Sequence, residues 1–276
     1  MGSRLILSLV CALVLCAGHT ALRADARARL PLARVAAGSF RPLLAPSSDG
    51  EPRAVSVRSF WLMTRPVRND EFLAFVSRHP RYRRDNIPRA FADAQYLLRF
   101  ETPTRLGGGA RPLQPVTLVS WFAARAFCES HALRLPSEAE WEWAAAASET
   151  LADARRDDAF RRRILDWYAR PVGELPDVPH GPKNLYGIAD LHGVVWEWVE
   201  DFNADVMVAD GRSRADTAAQ NRFMCGAGAL RADDVQDYPA FLRLGFRSSL
   251  QASYTTKSLG FRCARDDRAS AQKERP

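Results

Sequence analysis

Residues 115–146 read PVTLVSWFAARAFCESHALRLPSEAEWEWAAA, and they encode two short helices joined by a brief link. The Ser120 hydroxyl can accept from the free amides of a first helical turn, so a helix is predicted to start there. Trp121, Ala124 and Cys128 then fall three and four residues apart, which puts them on one face. The second start is stronger. Ser137 and Glu140 form the S-x-x-E pattern in which each side chain satisfies the other's unbonded backbone amide, and Pro136 just upstream fixes the entry of the chain.

Upstream of this stretch, Ala36–Phe40 and Ala54–Leu62 alternate apolar and polar residues as strands do. Asn69 is expected to cap a further helix in which Phe72, Phe75 and Val76 make one buried stripe. Residues 77–114, rich in Arg, Pro and Gly, read as a long surface excursion. Gly107, Gly108 and Gly109 are followed by no Lys-Ser/Thr pair, and Pro112 prevents a helix opening there, so a phosphate cradle is excluded.

Downstream, residues 153–163 read DARRDDAFRRR. Asp157 and Asp158 stand four before Arg161 and Arg162, which predicts a solvated surface helix laced by ion pairs. Pro171, Pro176, Pro179 and Pro182 mark loops, residues 222–265 read as short strands with Gly-rich turns, and residues 267–276 as a flexible polar tail. Long loops with few long elements are uncommon for a chain of this size.

With 276 residues and 47% hydrophobic content, the chain can bury one large core, and a single domain is expected. Residues 1–26 read as a signal peptide: Arg4, an apolar run from Leu5 to Ala17, then Ala24-Asp25-Ala26 as a small-x-small cleavage site. The run is shorter than the roughly 20 apolar residues a spanning helix needs. Leu15 is bulky where a lipidation signal on Cys16 would want a small residue. A periplasmic or secreted protein without a membrane span is therefore expected.

Removing residues 1–26 takes away Arg4, Arg23 and Asp25 and leaves 37 basic against 31 acidic groups, a net charge of +6. That charge favours acidic partners without fixing the fold, and no nucleic-acid module is present in the sequence. Export also leaves Cys128, Cys225 and Cys263 in an oxidising compartment, an odd number that allows one disulfide and a spare thiol, or no pairing.

Three blocks taken in order, 115–146, NLYGIADLHGVVWEWVED at 184–201 and LGFRCA at 259–264, resemble the formylglycine-generating enzyme, or sulfatase-modifying factor, family. The resemblance runs over nearly all of residues 27–266. It implies an α+β fold: an irregular, loop-rich single domain related to C-type lectins. It also implies a calcium site with side-chain oxygens from Asp190 and Glu197 and carbonyls from Gly193 and Val195. Such a hard cation wants several oxygens, which a tight glycine turn can aim inward; the alternative is that Asp190 and Glu197 only brace the turn. A disulfide between Cys128 and Cys263 is implied likewise. His192, inside the motif, is expected to be packed and hydrogen-bonded rather than catalytic. His79, His131 and His180 lack the iron-binding spacing of the related sulfoxide synthases.

The chain departs from the family where its chemistry resides. Arg222 to Arg231, RFMCGAGALR, resembles the family's active strand and turn, and carrying the pattern forward puts Arg231 and Gln236 where the active cysteines belong. Neither residue can bind Cu(I) as a thiolate or exchange disulfides. Cys225, beside Met224, is the remaining soft ligand and the candidate catalytic residue, with copper as the cofactor it would take; a buried, inert thiol is the alternative. Cys225 and the insert 233–250 are similar to the branch of the family encoded beside copper-containing nitrite reductases. Tyr238, Arg243 and Arg247 either line a pocket for an anionic ligand or partner, or pair with Asp233 and Asp237 to hold an irregular loop. The expectation is an accessory or maturation factor for another exported protein, a copper redox enzyme among the candidates. The alternative is a metal-dependent oxidase acting through Cys225.

Overall fold

Strand β4 (Phe60–Met63) carries the central register of the fold. Its FWLM sequence buries Phe60, Leu62 and Met63 and leaves Trp61 half-exposed. On one side it pairs antiparallel with β1 (Leu32–Val35), and on the other with β9 (Ala264–Asp266), so the first and last strands meet across it. In this computed structural model the described residues are 30–40, 54–171, 173–202 and 238–267. The chain divides into two units, residues 1–30 and 31–276, and every element below belongs to the second. The signal peptide, most of the polar tail, and Met224, Cys225, Arg231, Asp233, Gln236 and Asp237 lie outside the described residues.

The other sheets have two strands each. β2 (Gly38–Phe40) pairs antiparallel with β3 (Val55–Val57), and a Cβ on Gly38 would stand 2.1 Å from the Trp143 ring, so only glycine lets this strand lie on that indole. β7 (Trp196–Trp198) and β8 (Leu259–Phe261) run parallel, which requires the long crossover between them. Trp196, Glu197 and Trp198 face Leu259, Gly260 and Phe261 in register.

Helix α1 (Asn69–Arg78) buries Phe72, Phe75 and Val76 as the spacing predicts. Its cap differs from the expectation: Arg68 is the boundary residue, its N–H donating to Glu71, while Asn69 is buried in the first turn and donates to the Arg111 carbonyl. Phe72 and Phe75 meet Phe127 of α2 (Trp121–Ser130) at 5.8 and 5.6 Å between ring centroids, and Phe261 of β8 closes the cluster. Ser120 caps α2 by accepting from Ala123 N, and Ser137 and Glu140 form the reciprocal pair that opens α3 (Glu138–Ala145). Beside the aromatic cluster, Cys128 of α2 is bonded to Cys263 across 135 residues of chain.

The segment read as a surface excursion is more structured than its composition suggests. It holds a 3-10 turn (Pro80–Tyr82) and a hairpin of β5 (Phe100–Thr102) and β6 (Arg105–Leu106). Ala92, Tyr96, Leu97 and Phe100 are buried beneath it, and the Tyr96 hydroxyl donates to the Tyr82 carbonyl at 2.9 Å. Arg and Gly contribute little burial, so the four apolar anchors decide the conformation.

The charged run 153–163 does form a helix, α4 (Asp158–Tyr168), capped by Asp157. Arg161 pairs with Asp158 three residues back rather than four, and Phe160 and Ile164 are buried, so one face of α4 is a packing face. The second correction is larger. Residues 238–248, expected as strands and turns, form helix α5 (Tyr238–Ser248). Gly245 obscures the helical spacing that buries Pro239, Arg243 and Arg247 together.

Candidate functional site

α3, α4, α5 and β7 converge on one cluster. The capping box sets α3 so that Glu138 and Glu142, one turn apart, face α5; the one-turn spacing of Arg243 and Arg247 then matches them. Arg243 donates to both Glu142 oxygens, at 2.8 Å from Nε and 2.5 Å from Nη2, and to the Tyr168 hydroxyl at 3.1 Å. Arg247 Nη1 donates to Glu142 at 2.6 Å and to Glu138 at 2.9 Å. Both guanidiniums also lie over the Trp141 ring, at 5.6 and 4.8 Å. Burial alone would push the Glu142 carboxyl up, but the two arginines outweigh it and hold the pKa down at about 2.

An aromatic stack covers the outer side. Trp196 is sandwiched between Tyr168 and Phe246, with centroids 4.9 and 4.5 Å away, and Trp167 packs on it at 5.6 Å. Between this stack, Trp141 and the arginines the described residues leave a small, partly open cavity of ≈ 10 Å³, about the room one water needs. Arg243 and Arg247 are thus buried and paired with α3 carboxylates; the expected partners Asp233 and Asp237 lie outside the described residues. Tyr238, at the start of α5, is exposed and stacks on Phe241 instead of lining this cavity. The residues the sequence did not single out are Glu138, Glu142, Trp167 and Tyr168. The first pair had a visible signal: two carboxylates and two guanidiniums, each four residues apart.

Behind the cluster lies a second, fully enclosed ion pair. Arg262 makes five hydrogen bonds: two to Glu197, at 2.7 and 2.8 Å, one to Met63 O and two to Ala189 O, each 3.1 Å. Glu197 also accepts from Trp141 Nε1 at 2.8 Å. Asp190 sits at a positive φ of 61° and accepts from the His180 and Gly181 amides at 2.9 and 2.7 Å. Gly193 supplies the turn at φ 103°, followed by buried Val195. Both carboxylates of the expected calcium site thus have partners within the protein. The Glu197 carboxylate already faces a guanidinium, Asp190 braces the turn, and among the described residues no three His, Cys, Asp or Glu side chains group as metal ligands do.

His192 packs edge-on between Trp141 and Phe160, and its Nε2 donates to the Ala145 carbonyl at 2.9 Å. A carbonyl only accepts, so the neutral ring carries its proton on Nε2 and leaves Nδ1 as a buried acceptor with no partner among the described residues. Burial, reinforced by nearby Arg243, lowers its pKa to about 3, so the ring stays neutral at ordinary pH. Among the described residues the cysteines are Cys128 and Cys263, joined to each other, so no free thiol reaches this cluster from them. No helix of the described residues is long and apolar enough to cross a membrane.

Known proteins are similar to this chain over much of its length. A protein named inactive C-alpha-formylglycine-generating enzyme 2 from Bos taurus is 30% identical over 258 residues, covering 78% of this chain and 80% of that protein. A formylglycine-generating enzyme from Streptomyces coelicolor is 33% identical over 177 residues, 56% of this chain and 54% of that one. Among solved structures, PvdO from Pseudomonas aeruginosa is similar over 86% of this chain and 95% of its own, at 18% identity and a TM-score of 0.49. Residues 21–267 match the family described as the sulfatase-modifying factor enzyme 1-like domain, and the chain belongs to that family.

Proposed function

We propose that this chain is a non-catalytic member of its family, exported, and that it serves as an accessory or maturation factor for another exported enzyme, a copper-containing redox enzyme first among the candidates. The observation that carries the reading is the paired cluster: among the described residues, buried ion pairs and stacked aromatics occupy the space beside the tryptophan-bearing core and leave a cavity with room for about one water. A substrate side chain has no room there. Arg231 and Gln236, standing where the resemblance expects the reactive thiols, support the same conclusion, as does the likeness to a relative named inactive. Fold alone does not bring the family's reaction with it.

Two measurements test the proposal. Incubated with copper, oxygen and a sulfatase-type cysteine peptide, the mature chain should leave the peptide's mass unchanged; aldehyde formation overturns the reading. In cells lacking the chain, an exported copper reductase should accumulate with lower metal occupancy, and the Cys225→Ser chain should restore it as well as the unaltered one. Restoration that depends on Cys225 would instead favour the oxidase alternative.

A further inference from the structure

We propose that the arginine-rich surface of residues 78–99 docks an acidic segment of a partner protein. Six arginines lie in this stretch, Arg78, Arg81, Arg83, Arg84, Arg89 and Arg99, against two carboxylates, Asp85 and Asp93. Asp93 is committed inward, accepting from the Thr255 hydroxyl and amide and from Gln95 N. Within the stretch Asp85 is thus the carboxylate left to oppose six guanidiniums, neighbouring Glu101 being paired with Arg105, and none of the six is in an ion pair among the described residues.

Two of the six are held in place without being neutralised. Arg83 donates to the Val76 and Ser77 carbonyls at 3.2 and 3.0 Å, capping the C-terminal end of α1, where a positive charge is favoured. Arg84 donates to the Phe100 and Glu101 carbonyls at 2.8 and 3.4 Å. Each guanidinium has five N–H groups, so donors remain on both for a ligand. These bonds, together with that from Tyr96 to Tyr82, tie the end of α1, the 3-10 turn and the β5–β6 hairpin into one surface. Arg78, Arg81 and Arg89 stand exposed on it.

Immobilised guanidinium forks match the planar, two-oxygen geometry of carboxylates, and their prior fixation lowers the entropy cost of binding. Carboxylates are favoured over single-stranded nucleic acid because successive bases need successive rings, whereas of the aromatic side chains in this stretch only Phe91 is exposed, at 44%, and it is engaged edge-on with Phe122 at 4.9 Å. The Tyr82 ring packs on Phe75 at 5.3 Å and lies under Arg81 at 4.8 Å. This surface is separate from the paired cluster, so the inference stands or falls independently of the proposed function.

The test is fluorescence anisotropy of a labelled oligoglutamate peptide titrated with the mature chain at low and at high salt. Binding should weaken with salt. In the variant Arg78→Ser/Arg81→Ser/Arg89→Ser/Arg99→Ser, none of whose replaced side chains donates a hydrogen bond among the described residues, it should weaken by about tenfold or more. The pair Arg83→Lys/Arg84→Lys keeps the charge but loses the forks, and should also weaken binding in a chain whose melting temperature shows it folded. The inference is overturned if the peptide does not bind, if the fourfold variant binds as the unaltered chain does, or if an oligodeoxythymidine or phosphatidylglycerol vesicles bind more tightly than the peptide.

Discussion

Glu142→Gln preserves the shape of the side chain and removes the charge that Arg243 and Arg247 share. The Glu142 carboxyl is held at about 2 against an ordinary 4.5, and its side chain is 14% exposed, so little solvent screening applies. At neutral pH that depression corresponds to about 3 kcal/mol of stability. Because the folded-state pKa lies below the unfolded one, the contribution is complete above about 4.5 and disappears as pH falls toward 2. Glu138 still pairs with Arg247 in the variant, which keeps the expected loss near 3 kcal/mol, the low end for breaking a buried pair. Urea unfolding of both proteins, disulfide intact, across a pH series should show a gap of about 3 kcal/mol at neutral pH that closes in acid. A gap below about 1 kcal/mol at neutral pH, or one that does not change with pH, refutes the reasoning. A companion variant, Glu142→Leu/Arg243→Met/Arg247→Met, should recover much of the loss, since apolar replacement of a buried ion pair is often neutral.

His192, held neutral with a pKa lowered to about 3 from 6.5, should make stability fall as pH drops below about 6.5, before Glu142 begins to titrate; His192→Gln should flatten unfolding curves in that window. Cys128→Ala/Cys263→Ala should cost about 2 to 5 kcal/mol in urea unfolding, because the bridge closes a very long loop, and an unchanged midpoint would contradict this. Gly260→Ala should cost about 1 to 3 kcal/mol, since the new methyl would stand 2.7 Å from the Val116 carbonyl oxygen and 3.4 Å from the Val195 side chain. Calcium at about millimolar concentration should leave the melting temperature unchanged, because Arg262 already supplies the positive charge facing Glu197; a calcium-dependent rise would sink that argument.

Local chemistry made some helix starts legible. Ser120, and Ser137 with Glu140, act on amides within three residues, so their roles are written in the adjacent sequence, whereas Asp157, read as an ion-pair partner, caps α4 and Arg68 stands where Asn69 was expected to cap α1. Strand partners were not legible in the same way. β4 lies between elements that arrive early and late in the chain, and nothing in FWLM names either neighbour. α5 was obscured because its buried face consists of arginines. Two cations on an inward face read as surface until the carboxylates of α3, about a hundred residues earlier, are brought against them. The same distance hid the Glu197 partner. Asp190 and Glu197 stand together in the motif as though sharing a ligand, yet Glu197 turns to Arg262 and Asp190 to the backbone of residues 180 and 181. The family resemblance identified the disulfide that the cysteine count alone left open.

The segment from Leu259 to Asp267 gathers separate obligations: it adds the parallel strand beside β7, the antiparallel strand beside β4, the sulfur for Cys128 and the cation for Glu197. Ribosomes deliver it after every other described element. Until it arrives, β4 has a bare edge, Cys128 a reactive sulfur and Glu197 an unanswered charge in what will become the interior. Closure of the fold therefore waits on the last-made described segment, whose partners lie far back along the chain.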